Sequence, residues 1–153
     1  RDTTWFDRWG NNVFRKKYSD VFYKDATNFA NVRFDDNIVI FRLSDIMLLR
    51  AEALSKLNRF GEARELLDAV RARAGLEPST AWDAQLYDEV FNERCRELFL
   101  EGHKYWDMLR TRHLPSHLTE AEFNLGAHLW PIQKEIFLDN NVLTQNEYWI
   151  SRY

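Results

Sequence analysis

Between Leu86 and Phe99 the apolar positions recur every three to four residues. Leu86, Val90, Phe91, Cys95, Leu98 and Phe99 make one stripe, and Glu93, Arg94, Arg96, Glu97 and Glu101 take other places. This is the period of an amphipathic helix. Gly102 falls where such a helix would end in a left-handed residue or kink, because glycine has no Cβ to clash. His103 to Leu109 begins a second short amphipathic piece. The pattern predicts two helices that meet at Gly102 and bury one aromatic-rich seam.

Upstream, Ile46, Leu49, Ala53, Leu54 and Leu57 predict the buried face of a helix running from an N-cap at Ser44 to about Asn58. Asp45 sits in its first turn, where a carboxylate suits the helix dipole. Arg59 to Gly61 reads as a tight connection. A second helix follows to Ala74, with Phe60, Ala63, Leu66, Leu67, Val70 and Ala74 on one side. Gly75 closes it and Pro78 prevents continuation. Small Ala51, Ala53 and Ala63 would let the two backbones approach. The helix pair resembles a tetratricopeptide repeat, but one copy does not make an array.

Thr80 and Asp83 have the spacing of a capping box ahead of the central helix. Thr119 to Glu122 repeats that signal and predicts a short helix to about Asn124. Gly126 to Pro131 reads as extended and Gln133 to Leu138 as one or two helical turns. The tail from Leu143 to Tyr153 is expected to lie across the helices. Residues 1–41 differ: they are rich in Trp, Phe and Tyr with no period of 3.6 or 2. Gly10-Asn11-Asn12 and Asp35-Asp36-Asn37 read as turns there. The expected fold is mainly α: a tetratricopeptide-like helix pair packed on a further helix pair, with an irregular aromatic N-terminal segment and an extended tail.

A chain of 153 residues suits a single domain spanning 1–153 with a real core. Its 45% hydrophobic and 29% charged content argue against disorder. A net charge of −3 gives no basic footprint for nucleic acid. The single Cys95 cannot form an internal disulfide and, on an apolar stripe, reads as a small hydrophobe.

Glu93, Glu97 and Glu101 are spaced by four and would line one side of a helix. Such a row can act as acid and base or hold a metal. Arg94, Arg96 and Arg110 are interleaved with it, which points instead to a structural ion-pair network of Glu93, Arg94, Glu97, Glu101 and Arg110. Pro115 interrupts His113 and His117, and neither His103 nor His128 has neighbours at ligand spacing. There is no phosphate loop and no nucleophile elbow. No cofactor, metal or catalytic reading survives. Trp5, Trp9 and Tyr23 flank Asp2, Asp7, Asn11, Asn12 and Asp25, and flat rings beside amides and carboxylates suit a sugar site. Packing of the same aromatics on the helices behind, or on other protein, is the reading the sequence favours over a sugar site.

The stretch NERCRELFLEGHKYWDMLR, Asn92 to Arg110, resembles a signature of the SusD/RagB family. Glu93, Arg94, Glu97, Leu98, Glu101, Gly102, Asp107 and Arg110 stand at matching positions, and Lys104 lies close to a basic one. Asp107-Met108 replaces the usual Asp-Leu. Phe41 to Gly75 agrees too, as does His128 to Trp149, where Trp130 precedes Pro131 and Gln133 stands where proline is common. The resemblance implies a C-terminal part of a longer outer-membrane lipoprotein at the cell surface. Its lipid anchor would be an N-terminal cysteine not present here. It implies capture of a glycan, or in some branches a peptide, for a TonB-dependent transporter partner, without catalysis. It assigns no ligand residue. A cytoplasmic helical-repeat interaction module is the alternative.

Overall fold

A computed structural model of the chain describes residues 6–9, 12–15, 21–23, 32–34, 39–138 and 142–152, and for the stretches before residue 39 the backbone only. The fold is mainly helical. Among the described residues four short strands, β1 (Phe6–Trp9), β2 (Asn12–Arg15), β3 (Val21–Tyr23) and β4 (Val32–Phe34), precede seven helices. These are α1 (Leu43–Lys56), α2 (Phe60–Arg73), α3 (Ala84–Glu97), α4 (His103–Thr111), α5 (Glu120–Asn124), α6 (Lys134–Leu138) and α7 (Glu147–Ile150). The chain divides into two compact units, Arg1–Lys104 and Tyr105–Tyr153.

In the aromatic stretch β1 pairs antiparallel with β2 and β3 with β4, as two separate two-stranded sheets. Their register sets Trp9 opposite Asn12, the place of the glycine-asparagine signal. Strands this short carry too few alternations for a period of two to show.

The core of the first unit joins three helices. Leu48, Ala51 and Leu54 come from α1, Ala63, Leu67 and Val70 from α2, and Leu86 and Val90 from α3. Ala51 and Ala63 are fully buried, as small residues between close backbones should be, whereas Ala53 is exposed. The expected face of α2 is the observed one. That of α1 is not: Ile46 is 52% and Leu57 66% exposed, and of the expected row only Leu54 is buried. Four apolar residues in succession, Ile46 to Leu49, leave two faces almost equally hydrophobic, so periodicity does not fix the phase.

The helix ends show how the turns are made. Asn58 and Gly75 have φ of 58° and 70°. After each, an amide reaches back to the last turn: Arg59 N to Leu54 O at 2.9 Å and Leu76 N to Arg71 O at 2.9 Å. Both are Schellman closures, which satisfy carbonyls that the helix leaves orphaned. The first turn is therefore made at Asn58, while Gly61 lies within α2. Arg42, not Ser44, occupies the N-cap of α1, and Ser44 is buried in the helix. The Thr80–Asp83 box does not form either, because Asp83 itself takes the N-cap of α3 with φ 50°. The loop before α3 is instead tied to α2, by Ser79 N to Asp68 Oδ1 at 2.7 Å and Arg71 Nε to Glu77 O at 2.9 Å.

The second unit is built around residues 123–132. Its α5 has the expected capping box, Thr119 Oγ1 accepting from Glu122 N and Glu122 accepting from Thr119 N. The following stretch is a run of turns rather than extended chain, with Gly126 at φ 91°. A Cβ there would meet the Asn146 side chain at 3.1 Å. Tyr105 Oη donates to His128 O and Trp149 Nε1 to Leu129 O, each at 2.7 Å. The Gln145 amide grips Ile132 from both sides, accepting from its N at 3.2 Å and donating to its O at 2.9 Å. The tail thus replaces missing backbone partners for an irregular segment.

The phase of α1 is directly testable. Leu48→Ala should cost about 2–5 kcal/mol as a core truncation. Ile46→Ala, on the exposed face, should cost no more than about 1 kcal/mol. Urea unfolding with unchanged slope measures both; equal losses would contradict the observed phase.

Candidate functional site

Within the first unit the charges of α3 and the turn after it meet partners on α1 and α2. Helix α3 ends at Glu97, five residues before Gly102, and a turn with Leu100 at φ 64° follows. Glu101 is therefore not in line on α3 with Glu93 and Glu97. It hangs from the turn, and Arg42 at the entrance of α1 collects it.

Arg42 Nε and Nη2 donate to the Glu101 carboxylate at 2.9 Å each, and Nη2 to the Glu97 carbonyl at 2.6 Å. Its Nη1 binds both Glu97 Oε1 and Ser44 Oγ, and Arg73 Nη2 meets Glu97 Oε1 from α2. The Glu97 and Glu101 side chains are almost wholly covered. Burial disfavours the Arg42 guanidinium, but the hydrogen bonds and charges of Glu101 and Glu97 outweigh it, so the Arg42 pKa is raised. Burial likewise pushes the Glu97 carboxyl up, while Arg42, Ser44 and Arg73 together pull it below its ordinary value.

One turn earlier, Arg94 and Asp45 face each other with side chains 1% exposed, Arg94 Nη1 standing 2.8 Å from Asp45 Oδ1. The same nitrogen donates to the Asp45 carbonyl at 3.0 Å. Neither Asp45 carboxylate oxygen has an aligned hydrogen bond among the described residues, so charge contact rather than bond geometry holds it.

Glu93, fully buried, receives Arg71 Nη1 at 3.1 Å and Arg96 Nη2 at 2.8 Å. Glu89 joins the same two arginines at 3.2 and 2.7 Å. Burial opposes charge on Arg96, but Glu93 and Glu89 raise its pKa overall. In the second unit Arg110 pairs locally with buried Asp107 at 2.7 Å.

Each carboxylate of the row Glu93, Glu97 and Glu101 is covered by at least one guanidinium. That arrangement fixes charge in place and leaves none of these three carboxylates in an open cleft. Among the described residues no group of three or more His, Cys, Asp or Glu is placed to hold a metal. Cys95 is half-buried. Of the aromatic candidates, Trp5 lies outside the described residues, while Trp9 closes β1 and Tyr23 closes β3, on separate strand pairs.

The family model described as the SusD family matches residues 10–149. The chain belongs to the SusD family. Among curated relatives, a SusD-like protein of Formosa agariphila is 32% identical over 123 residues, which is 73% of this chain and 24% of the relative. A second from the same organism is 32% identical over 92 residues, 56% of this chain and 17% of that protein. The solved SusD homolog from Bacteroides thetaiotaomicron superposes with a TM-score of 0.77 at 32% identity, over 95% of this chain and 34% of its own. A SusD superfamily protein from the same organism gives 0.61 at 40% identity, over 73% and 26%. The chain thus spans a quarter or less of the length of the curated relatives it matches.

Within this SusD-family chain Glu93, Arg94, Glu97 and Glu101 of the signature each meet a partner outside it. Arg42, Asp45, Arg71 and Arg73 complete the α3 clusters, and none lies in the signature. Asp45 was legible only as a dipole partner for its own helix; nothing local announced Arg94, 49 positions away.

Removing one member of the buried pair should be severe. Arg94→Met should cost about 3–5 kcal/mol by leaving Asp45 uncompensated. The double variant Arg94→Met, Asp45→Leu should recover much of that loss in chemical unfolding. No recovery would mean that packing, not charge, sets the cost.

Glu97 gives the pH dependence. Its folded pKa lies below the ordinary 4.5, so its stabilisation is present above that value and is lost as pH falls through the folded pKa. Thermal melts should be flat in this respect near neutrality and fall in acid. Glu97→Gln should make the acid fall shallower; an unchanged slope would remove Glu97 as its source.

Proposed function

We propose that this chain forms the helical scaffold of a nutrient-capturing protein at the outer-membrane surface. The captured ligand is a glycan, or in some branches a peptide, and it passes to a TonB-dependent transporter. The observation that supports this reading is the SusD-family match over residues 10–149, together with the 0.77 superposition. The charge geometry fits binding without turnover, since the acids of α3 are engaged by arginines. In this reading Glu93, Arg94, Glu97 and Glu101 with their partners, and Arg110 with Asp107, serve the fold. Trp5, Trp9 and Tyr23 are the candidates for stacking on sugar rings. Membrane attachment is by lipid on an N-terminal cysteine outside this chain; among the described residues no helix is long and apolar enough to cross a membrane. A cytoplasmic repeat module is disfavoured by the single helix pair and by the family.

Calorimetric titration with a panel of oligosaccharides, with peptides as comparison, tests it. Binding in the millimolar range, at about −4 kcal/mol, is expected for a partial site. Trp9→Ala or Tyr23→Ala should weaken it. No sugar or peptide should be released on long incubation. Product formation abolished by Glu97→Gln would replace capture with hydrolysis, and glycan binding indifferent to Trp5, Trp9 and Tyr23 would move the site elsewhere.

A further inference from the structure

In an antiparallel ribbon, residues set opposite one another and residues two apart along a strand belong to the same face. The register of β1 with β2 therefore sorts their residues into two groups. Asp7 lies opposite Phe14 and Trp9 opposite Asn12, which gives one face a carboxylate and an amide beside two aromatics. Phe6 opposite Arg15 and Arg8 opposite Val13 make up the other face, with both arginines of the ribbon. The sorting matters for Asp7. Each acid of the α3 row is met by a guanidinium, whereas the register places Arg8 and Arg15 on the face opposite to that of Asp7. The second ribbon differs. Val21 opposite Phe34 and Tyr23 opposite Val32 leave the Tyr23 face with no carboxylate or amide.

We propose that the face of the first ribbon formed by Asp7, Trp9, Asn12 and Phe14 binds an uncharged pyranose ring and discriminates against acidic sugars. The inference rests on the proposed glycan capture and names the residues and the sugar class of that capture. A pyranose has an apolar C–H face rimmed by hydroxyls. Tryptophan and phenylalanine offer flat apolar surface to the first, while asparagine donates and accepts, and a carboxylate accepts, at the second. Across a ribbon, same-face neighbours have Cβ atoms about 5 Å apart, and along a strand they stand about 7 Å apart. These positions thus span a patch on the scale of one sugar ring. A sugar carboxylate or sulfate would meet Asp7 with no arginine of the ribbon on that face to offset the repulsion. The charge therefore selects by exclusion.

The test is calorimetric titration of the whole chain with maltotriose, cellotriose and mannotriose as neutral probes and trigalacturonate as the acidic one. At least one neutral trisaccharide should bind, about tenfold or more tighter than trigalacturonate. Asp7→Ala, Trp9→Ala and Asn12→Ala should each weaken it by about tenfold. Asp7→Asn should narrow the gap between the neutral and the acidic sugar. Arg8→Gln and Val13→Thr alter the same ribbon on its other face and should bind as the parent does, which separates a loss of contact from a loss of the ribbon. Neutral binding that survives Asp7→Ala and Asn12→Ala, an equal loss in Arg8→Gln, or trigalacturonate binding as tightly as the neutral sugars overturns the proposal and leaves glycan capture standing. Binding of none of these sugars overturns both.

Discussion

The contact between Arg94 and Asp45 fixes the relation of the first and third helices. Removing both charges from water costs several kcal/mol per ion, and only close approach recovers it. A slide of one residue along either helix would part them. The next residue back works on the other neighbour: consecutive positions on a helix are rotated by about 100°, so Glu93 meets Arg71 of α2 while Arg94 meets α1. Glu97, one turn on, joins the entrance of α1 through Arg42 and the end of α2 through Arg73. A single turn of α3 therefore binds both members of the helix pair, and the apolar core of Leu48, Leu67, Leu86 and Val90 is packed in the register those charges set.

Much of this architecture was legible in the sequence. Helix existence, the buried face of α2, the Gly75 stop and the Thr119–Glu122 cap all follow from short-range chemistry, where cause and signal lie within a few residues. What escaped has a common physical origin. The phase of α1 is decided by which of two apolar faces meets α3, and Asp45 and Arg94 make that decision across the fold. Helix α3 ends before the Gly102 stop that the sequence suggests, and Leu100 as well as Gly102 takes a left-handed conformation, which a leucine does not advertise. For the same reason Glu101 is a turn residue held by Arg42, where its spacing from Glu97 suggests a helix face. The candidate acids were recognisable; their cationic partners on α1 and α2 were not, because ion pairing between helices leaves no local pattern.

The division of labour among the arginines bears on function. A sugar or peptide site needs donors and acceptors whose valences are unfilled until ligand arrives. Arg42 and Arg71 are each committed to more than one oxygen, and Arg94 to both the carbonyl and the carboxylate of Asp45. Breaking such a cluster to admit a ligand would expose a buried unpaired charge, at a cost that exceeds what one hydroxyl contact returns. The cross-linked turn of α3 is suited to rigidity and unsuited to recognition. Whatever this chain binds must therefore be met by groups outside that knot, on surfaces that the knot holds in a fixed geometry.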